Sequence, residues 1–131
     1  MQPEVTALAL AGLLQAALFT LYAWHANREL TPAYTTSSRD TPPPRPLSVK
    51  TARLQRALNN SFEALIYFTL AVVVVVLGQK SSGLTQLCAG LFVGARVLYI
   101  PAYWFGASPL RSVIWCVGFF ASLIMIIAAL L

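Results

Sequence analysis

Apolar residues run in four long blocks along the chain, and short polar stretches separate them. A hydrocarbon core about 30 Å thick is crossed by about 20 apolar residues in a helix. Blocks at residues 5–26, 49–78, 84–104 and 112–131 therefore predict four membrane-spanning helices within a single domain, residues 1–131. The second block is the apolar part, Phe62–Leu77, of a longer helix that starts near Val49. Its consecutive valines, Val72–Val76, favour strands in water. In lipid every backbone group must bond within its own segment, so helix wins. The expected fold class is all-α, an integral membrane four-helix bundle. The first block is not a cleaved signal peptide, because an acid, Glu4, precedes it, no Lys or Arg does, and the apolar run is too long. The first connection, residues 28–48, carries Pro42, Pro43, Pro44 and Pro46 and is expected to be a stiff, extended linker.

Composition sharpens this picture. Hydrophobic residues make up 58% of the chain and charged residues 10%, against roughly 25% charged in soluble domains. A soluble globule, a disordered chain and a nucleic-acid-binding domain are excluded. The formal net charge of +5 comes from nine cations, and their placement matters more than their number. Arg28, Arg39, Arg45, Lys50, Arg53 and Arg56 lie in or beside the first connection and Arg111 in the third, while only Lys80 lies in the second and Arg96 falls inside span three. The excess of cations inside predicts cytoplasmic first and third connections, with both termini outside, periplasmic or lumenal. Cys88 and Cys116 sit within apolar blocks without a CxxC spacing, so buried, inert thiols are expected and no metal site. His25, beside Trp24 and Tyr22, reads as an interfacial belt residue.

Ionisable groups inside a membrane are costly, and two spans carry them. Arg53, Arg56, Asn60, Glu63 and Tyr67 follow one another at spacings of three and four. At about 100° per residue they occupy an arc of about 80° on one helix face. Span three repeats the pattern with Arg96, Tyr99 and Tyr103. Counted from the outer ends of the two antiparallel helices, Glu63 lies about 22 Å deep and Arg96 about 18 Å. The two stripes can meet, and an internal Glu63–Arg96 ion pair is expected. Pro101, between the tyrosines, removes a backbone bond and should kink the helix there. A pair that only fixes helix register leaves Arg53, Arg56, an amide and two phenols unexplained. Those groups suit an anionic ligand with hydrogen-bonding capacity, since guanidinium forks bind carboxylates bidentately. The competing interpretation takes Arg53 and Arg56 as ordinary anchors on the cytoplasmic side.

The run Arg53-Leu-Gln-Arg56-Ala-Leu-Asn-Asn60-Ser-Phe-Glu63 resembles the second-helix signature, R-x-x-R-A-x-x-N-x-x-E, of the membrane-associated proteins in eicosanoid and glutathione metabolism, the MAPEG family. The run Ala95-Arg96-Val-Leu-Tyr99-Ile-Pro-Ala-Tyr103, followed by Pro109-Leu-Arg111-Ser112, resembles the third-helix signature and the basic residue that opens helix four. The resemblance extends over essentially the whole chain and points to the short bacterial-type members. It implies a homotrimer of four-helix protomers that binds glutathione between neighbours near the cytoplasmic face. Arg53, Arg56, Asn60, Glu63, Tyr99 and Tyr103 would line the glutathione pocket. Arg96 would be the internal partner of the carboxylate or a ligand contact. Arg111 matches the arginine that stabilises the glutathione thiolate, and Arg28 lies where some members carry a second functional arginine. Leu58 and Ala64 depart from residues that some members have as glutamine and tyrosine, which weighs against eicosanoid synthesis.

Two function classes follow. The first is a glutathione transferase or peroxidase that acts on a lipophilic electrophile or hydroperoxide arriving from the bilayer, with glutathione as co-substrate and Arg111 as activator. The second is a non-enzymatic four-helix membrane protein, either a member of the family that has lost activity or a small transporter. A small multidrug exporter would carry its key carboxylate in span one, and residues 5–26 contain none.

Overall fold

The computed structural model describes residues 1–131. Its helices are α1 (Pro3–Leu30), a single turn α2 (Pro32–Thr35), α3 (Val49–Leu77), α4 (Gly83–Trp104) and α5 (Ser108–Leu130), and there is no strand. The four long helices are each long and apolar enough to cross a membrane. Local chemistry sets their starts. Prolines stand in the first turn of α1 and α5, where a missing N–H costs nothing. Ser48 caps α3 by accepting the Thr51 N–H, and Ser82 and Thr85 form a reciprocal capping box on α4.

The helix α1 runs past its apolar block through Asn27, Arg28 and Glu29. These residues are compatible with helix, and the chain turns only at Thr31, whose φ is 72°, before Pro32. The connection that follows is irregular through its prolines, but it is not the extended linker expected. It folds back on the helix ends. The Glu29 carboxylate accepts from the Ser48 N–H (2.6 Å), the Ser48 hydroxyl (3.1 Å) and the Thr51 hydroxyl. Arg45 donates to the carbonyls of Glu29 and Arg28. A proline run offers few backbone donors, so the connection is tied to the helix ends through the Arg45 guanidinium and the Glu29 carboxylate instead.

The long helices form an up-and-down bundle in which α3 and α4 stand between α1 and α5. The core joins small residues, Ala7, Ala11, Ala71, Ala89 and Ala121, to Val72, Val75, Met125 and a stacked pair, Phe68 on Phe92, with centroids 3.9 Å apart. Lipid offers no hydrophobic drive between helices, so small residues that let backbones approach carry the packing. Large apolar side chains such as Leu13, Ile66, Leu87 and Val113 point outward instead. At the end that holds the termini, Glu4 is fully buried and accepts from Thr85 (2.6 Å) and Ser81 (2.8 Å), which ties α1 to the start of α4. At the opposite end His25 lies against Trp104, 5.5 Å between centroids.

Candidate active site: a cationic groove along α3, α4 and α5

Five of the residues singled out in the sequence gather at the end of the bundle where the α4–α5 turn lies. Arg53 donates to the Trp104 carbonyl (3.3 Å), and the turn passes over its guanidinium at Gly106. Gly106 has φ 70°, and a Cβ there would come within 2.8 Å of the Arg53 Nη2. The backbone conformation favours glycine, and a Cβ would also push the flexible end of Arg53 aside. One turn along α3, the Arg56 Nε donates to the Tyr103 hydroxyl (3.2 Å). From the start of α5, the Arg111 guanidinium stands 4.8 Å from the Tyr103 ring centroid. Tyr103 meets Tyr99 edge-on at 5.5 Å. Tyr103 therefore serves as the shared anchor for two cations, through its hydroxyl and its ring face.

Three adjoining clefts make up the groove. The first, about 170 Å³, is bordered by Arg53, Arg56, Tyr103, Gly106, Ser108 and Arg111. The second, about 230 Å³, is bordered by Asn60, Tyr99, Arg111, Ser112, Trp115 and Cys116. The third, about 160 Å³, is bordered by Glu63, Ala64, Tyr67, Phe92, Trp115 and Phe119. Arg111 links the first to the second, and Trp115 links the second to the third. The series grades from cationic through hydrogen-bonding to aromatic. No cation in it forms an ion pair, because no carboxylate oxygen of the chain lies within 4.0 Å of a Lys or Arg nitrogen. In the middle cleft the Asn60 Oδ1 and the Trp115 Nε1 are both buried and have no hydrogen-bond partner. One orphaned acceptor and one orphaned donor in the same cleft are groups that a ligand can satisfy.

Two expectations change. Glu63 and Arg96 do not pair. Arg96 is 5% exposed and faces the inside of the bundle, where it donates to the Ser61 hydroxyl and lies 4.3 Å from the Tyr99 ring centroid. It borders a small void with Gln15, Leu18 and Ser61 rather than the groove. Ser61 and Glu63 are two positions apart, about 200° around α3, so a guanidinium that reaches one turns its back on the other. Glu63 is exposed on the outer side of α3 at mid-span. Cys88 is buried in the core as expected, but Cys116 is exposed and borders the groove. Span four is apolar all round, so no periodicity could place its cysteine. Trp115, one turn beyond Arg111, borders the groove as well, and nothing in the apolar pattern of span four singles it out. Leu58 packs with Leu18 and Leu54 on the face toward α1, away from the groove, whereas Ala64 borders it. Arg28 lies over the Trp24 ring at 4.7 Å and borders none of the three clefts.

The family model of the MAPEG family matches residues 5–131. The chain belongs to the MAPEG family. Membership agrees with four helices able to span a membrane and ties this MAPEG protein to the membrane proteins of glutathione and eicosanoid metabolism. No curated protein and no solved structure matches the chain.

Proposed function

We propose that this MAPEG protein is a glutathione-dependent transferase or peroxidase that acts on a lipophilic electrophile or hydroperoxide as a homotrimer. The observation that carries the proposal is the middle of the groove, where unpaired Arg111 adjoins the unpartnered Asn60 Oδ1 and Trp115 Nε1. Glutathione presents two carboxylates, an ammonium and a thiol, and the groove offers a partner for each. Arg53 and Arg56 hold carboxylates, Asn60 and the two tyrosines supply hydrogen bonds, and Glu63 takes the ammonium. Arg111 keeps a fixed positive charge beside the sulfur, which favours the thiolate that acts as nucleophile. The aromatic cleft of Tyr67, Trp115 and Phe119 opens the way for an apolar second substrate from the bilayer.

The exposed carboxylate of Glu63 supports the oligomer. A charge cannot face hydrocarbon at mid-span without severe cost, so a neighbouring protomer and the ligand between them cover this face of α3. The arginine-bearing end lies on the cytoplasmic side, where glutathione is abundant and where the cation excess belongs. Arg96 acts behind the groove by fixing Tyr99 through its ring. A thermal-shift titration of the purified chain tests the proposal. Glutathione is expected to raise the unfolding temperature in a saturable way and ophthalmic acid, which lacks the sulfur, to do so less. No shift with either compound contradicts it.

A further inference from the structure

A cavity of about 590 Å³ lies outside the groove, between α1 and the folded-back first connection. That is within the range of small-molecule sites. One wall is a stripe of α1, with Phe19, Ala23, Ala26 and Leu30 at spacings of three and four and Tyr22 beside them. From Phe19 to Leu30 the stripe is about 16 Å long. It starts inside the apolar block and ends beyond it. The other wall is the connection, with Arg39 and Arg45 at the polar end beside Asn27 and Tyr34. This wall is held in place: the Tyr34 hydroxyl donates to the Thr41 carbonyl (3.1 Å), and Arg39 donates twice to the Thr35 carbonyl (3.1 and 2.8 Å). Arg45 donates to two carbonyls at the end of α1.

Those carbonyls are neutral and neither guanidinium is ion-paired, although Arg45 still interacts electrostatically with the Glu29 carboxylate beyond ion-pair distance. Glu29 and Asp40 are close in sequence, but neither comes within 4.0 Å of a guanidinium nitrogen. Each guanidinium carries five N–H donors and spends two, so donors remain free. The cleft thus joins unspent cationic donors at the water side to an apolar channel that descends along α1 into the bilayer. From this we infer that it is a binding site for one anionic phospholipid of the surrounding membrane. The headgroup phosphate sits on Arg39 and Arg45, and an acyl chain follows Ala26, Ala23 and Phe19. Basic pockets at the membrane surface collect anionic headgroups, and each cation there favours them roughly fivefold. The site is independent of the glutathione groove, with which it shares no residue.

Native mass spectrometry of the full chain, released from nanodiscs of equal phosphatidylglycerol and phosphatidylcholine, tests this. The expected result is one retained phosphatidylglycerol per chain, preferred over phosphatidylcholine by roughly tenfold or more. The double variant Arg39→Gln/Arg45→Gln should lose the preference, and Arg28→Gln, which removes a charge at the same level but outside the cleft, should keep it. Because both arginines also brace the connection, Ala23→Trp provides a second test. It fills the apolar channel without changing charge and should abolish retention. Equal retention of both lipids overturns the inference, as does a preference that survives Ala23→Trp. Displacement of the lipid by inorganic phosphate alone overturns the acyl-chain part and leaves only an anion site.

Discussion

Replacing Arg111 by alanine removes the one guanidinium that borders both the cationic and the hydrogen-bonding clefts. A unit positive charge about 4 Å from a thiolate contributes about 4 kcal/mol at an effective dielectric near 20. Arg111 is only half-buried, and solvent screening reduces this to about 2 kcal/mol. At 1.36 kcal/mol per unit, that lowers a thiol pKa from about 8.5 to about 7. At neutral pH the bound thiolate fraction then falls, in Arg111→Ala, from roughly half to roughly 3%, a loss of about fifteenfold. The sign follows from the lowered pKa: the wild type keeps its thiolate above about pH 7, and the variant gains it only as pH rises past about 8.5. Conjugation of a model electrophile, followed against pH with glutathione saturating, reads this directly. The acid limb of the turnover profile should move up by about 1.5 pH units while the glutathione concentration at half-saturation changes less than about threefold. An unmoved limb with unchanged turnover would refute the role given to Arg111 and pass it to Tyr99 or Tyr103.

Other outcomes follow from the same geometry. Arg56→Ala removes a cation and its bond to Tyr103, so glutathione should bind roughly tenfold or more weakly, with maximal rate nearly retained, in steady-state kinetics. Glu63 has no ion-pair partner in the bundle, so Glu63→Gln should change the unfolding free energy of a protomer by less than about 1 kcal/mol. Breaking a true buried pair would cost roughly 3–5 kcal/mol, and detergent-titrated unfolding separates the two. Glu4→Ala loses the bonds from Ser81 and Thr85 that join α1 to α4, and the same assay should show a loss of about 1–3 kcal/mol with no effect on glutathione binding.

The helices were legible in the sequence because a membrane forces one solution on any long apolar block, and caps and prolines then fix where each begins. The groove was legible along α3, where polar residues at helical spacing stand out against an apolar background. Arg53, Arg56, Asn60 and Glu63 all border it, as do Tyr99, Tyr103 and Arg111. Depth along two helices does not give rotation about them, however. Arg96 and Glu63 lie at similar depth, yet one turns toward Ser61 and the other away from the bundle. Span four hid its contributions for a different reason. Trp115 and Cys116 are apolar residues in an apolar helix, and only the packing of α5 along α4 and α3 reveals that they face the groove. The folding-back of the first connection was hidden as well, since it depends on Glu29 and Arg45 meeting partners that only the closed bundle provides.

The central claim is that the groove along α3, α4 and α5 binds glutathione through its unpaired arginines. Calorimetric titration of the purified full-length chain with glutathione tests it most directly, run in parallel on wild type, Arg56→Ala and Arg28→Gln. Saturable heat for the wild type, weakened about tenfold or more in Arg56→Ala and retained in Arg28→Gln, is the predicted result. Absence of heat in the wild type, or equal affinity in wild type and Arg56→Ala, would contradict it.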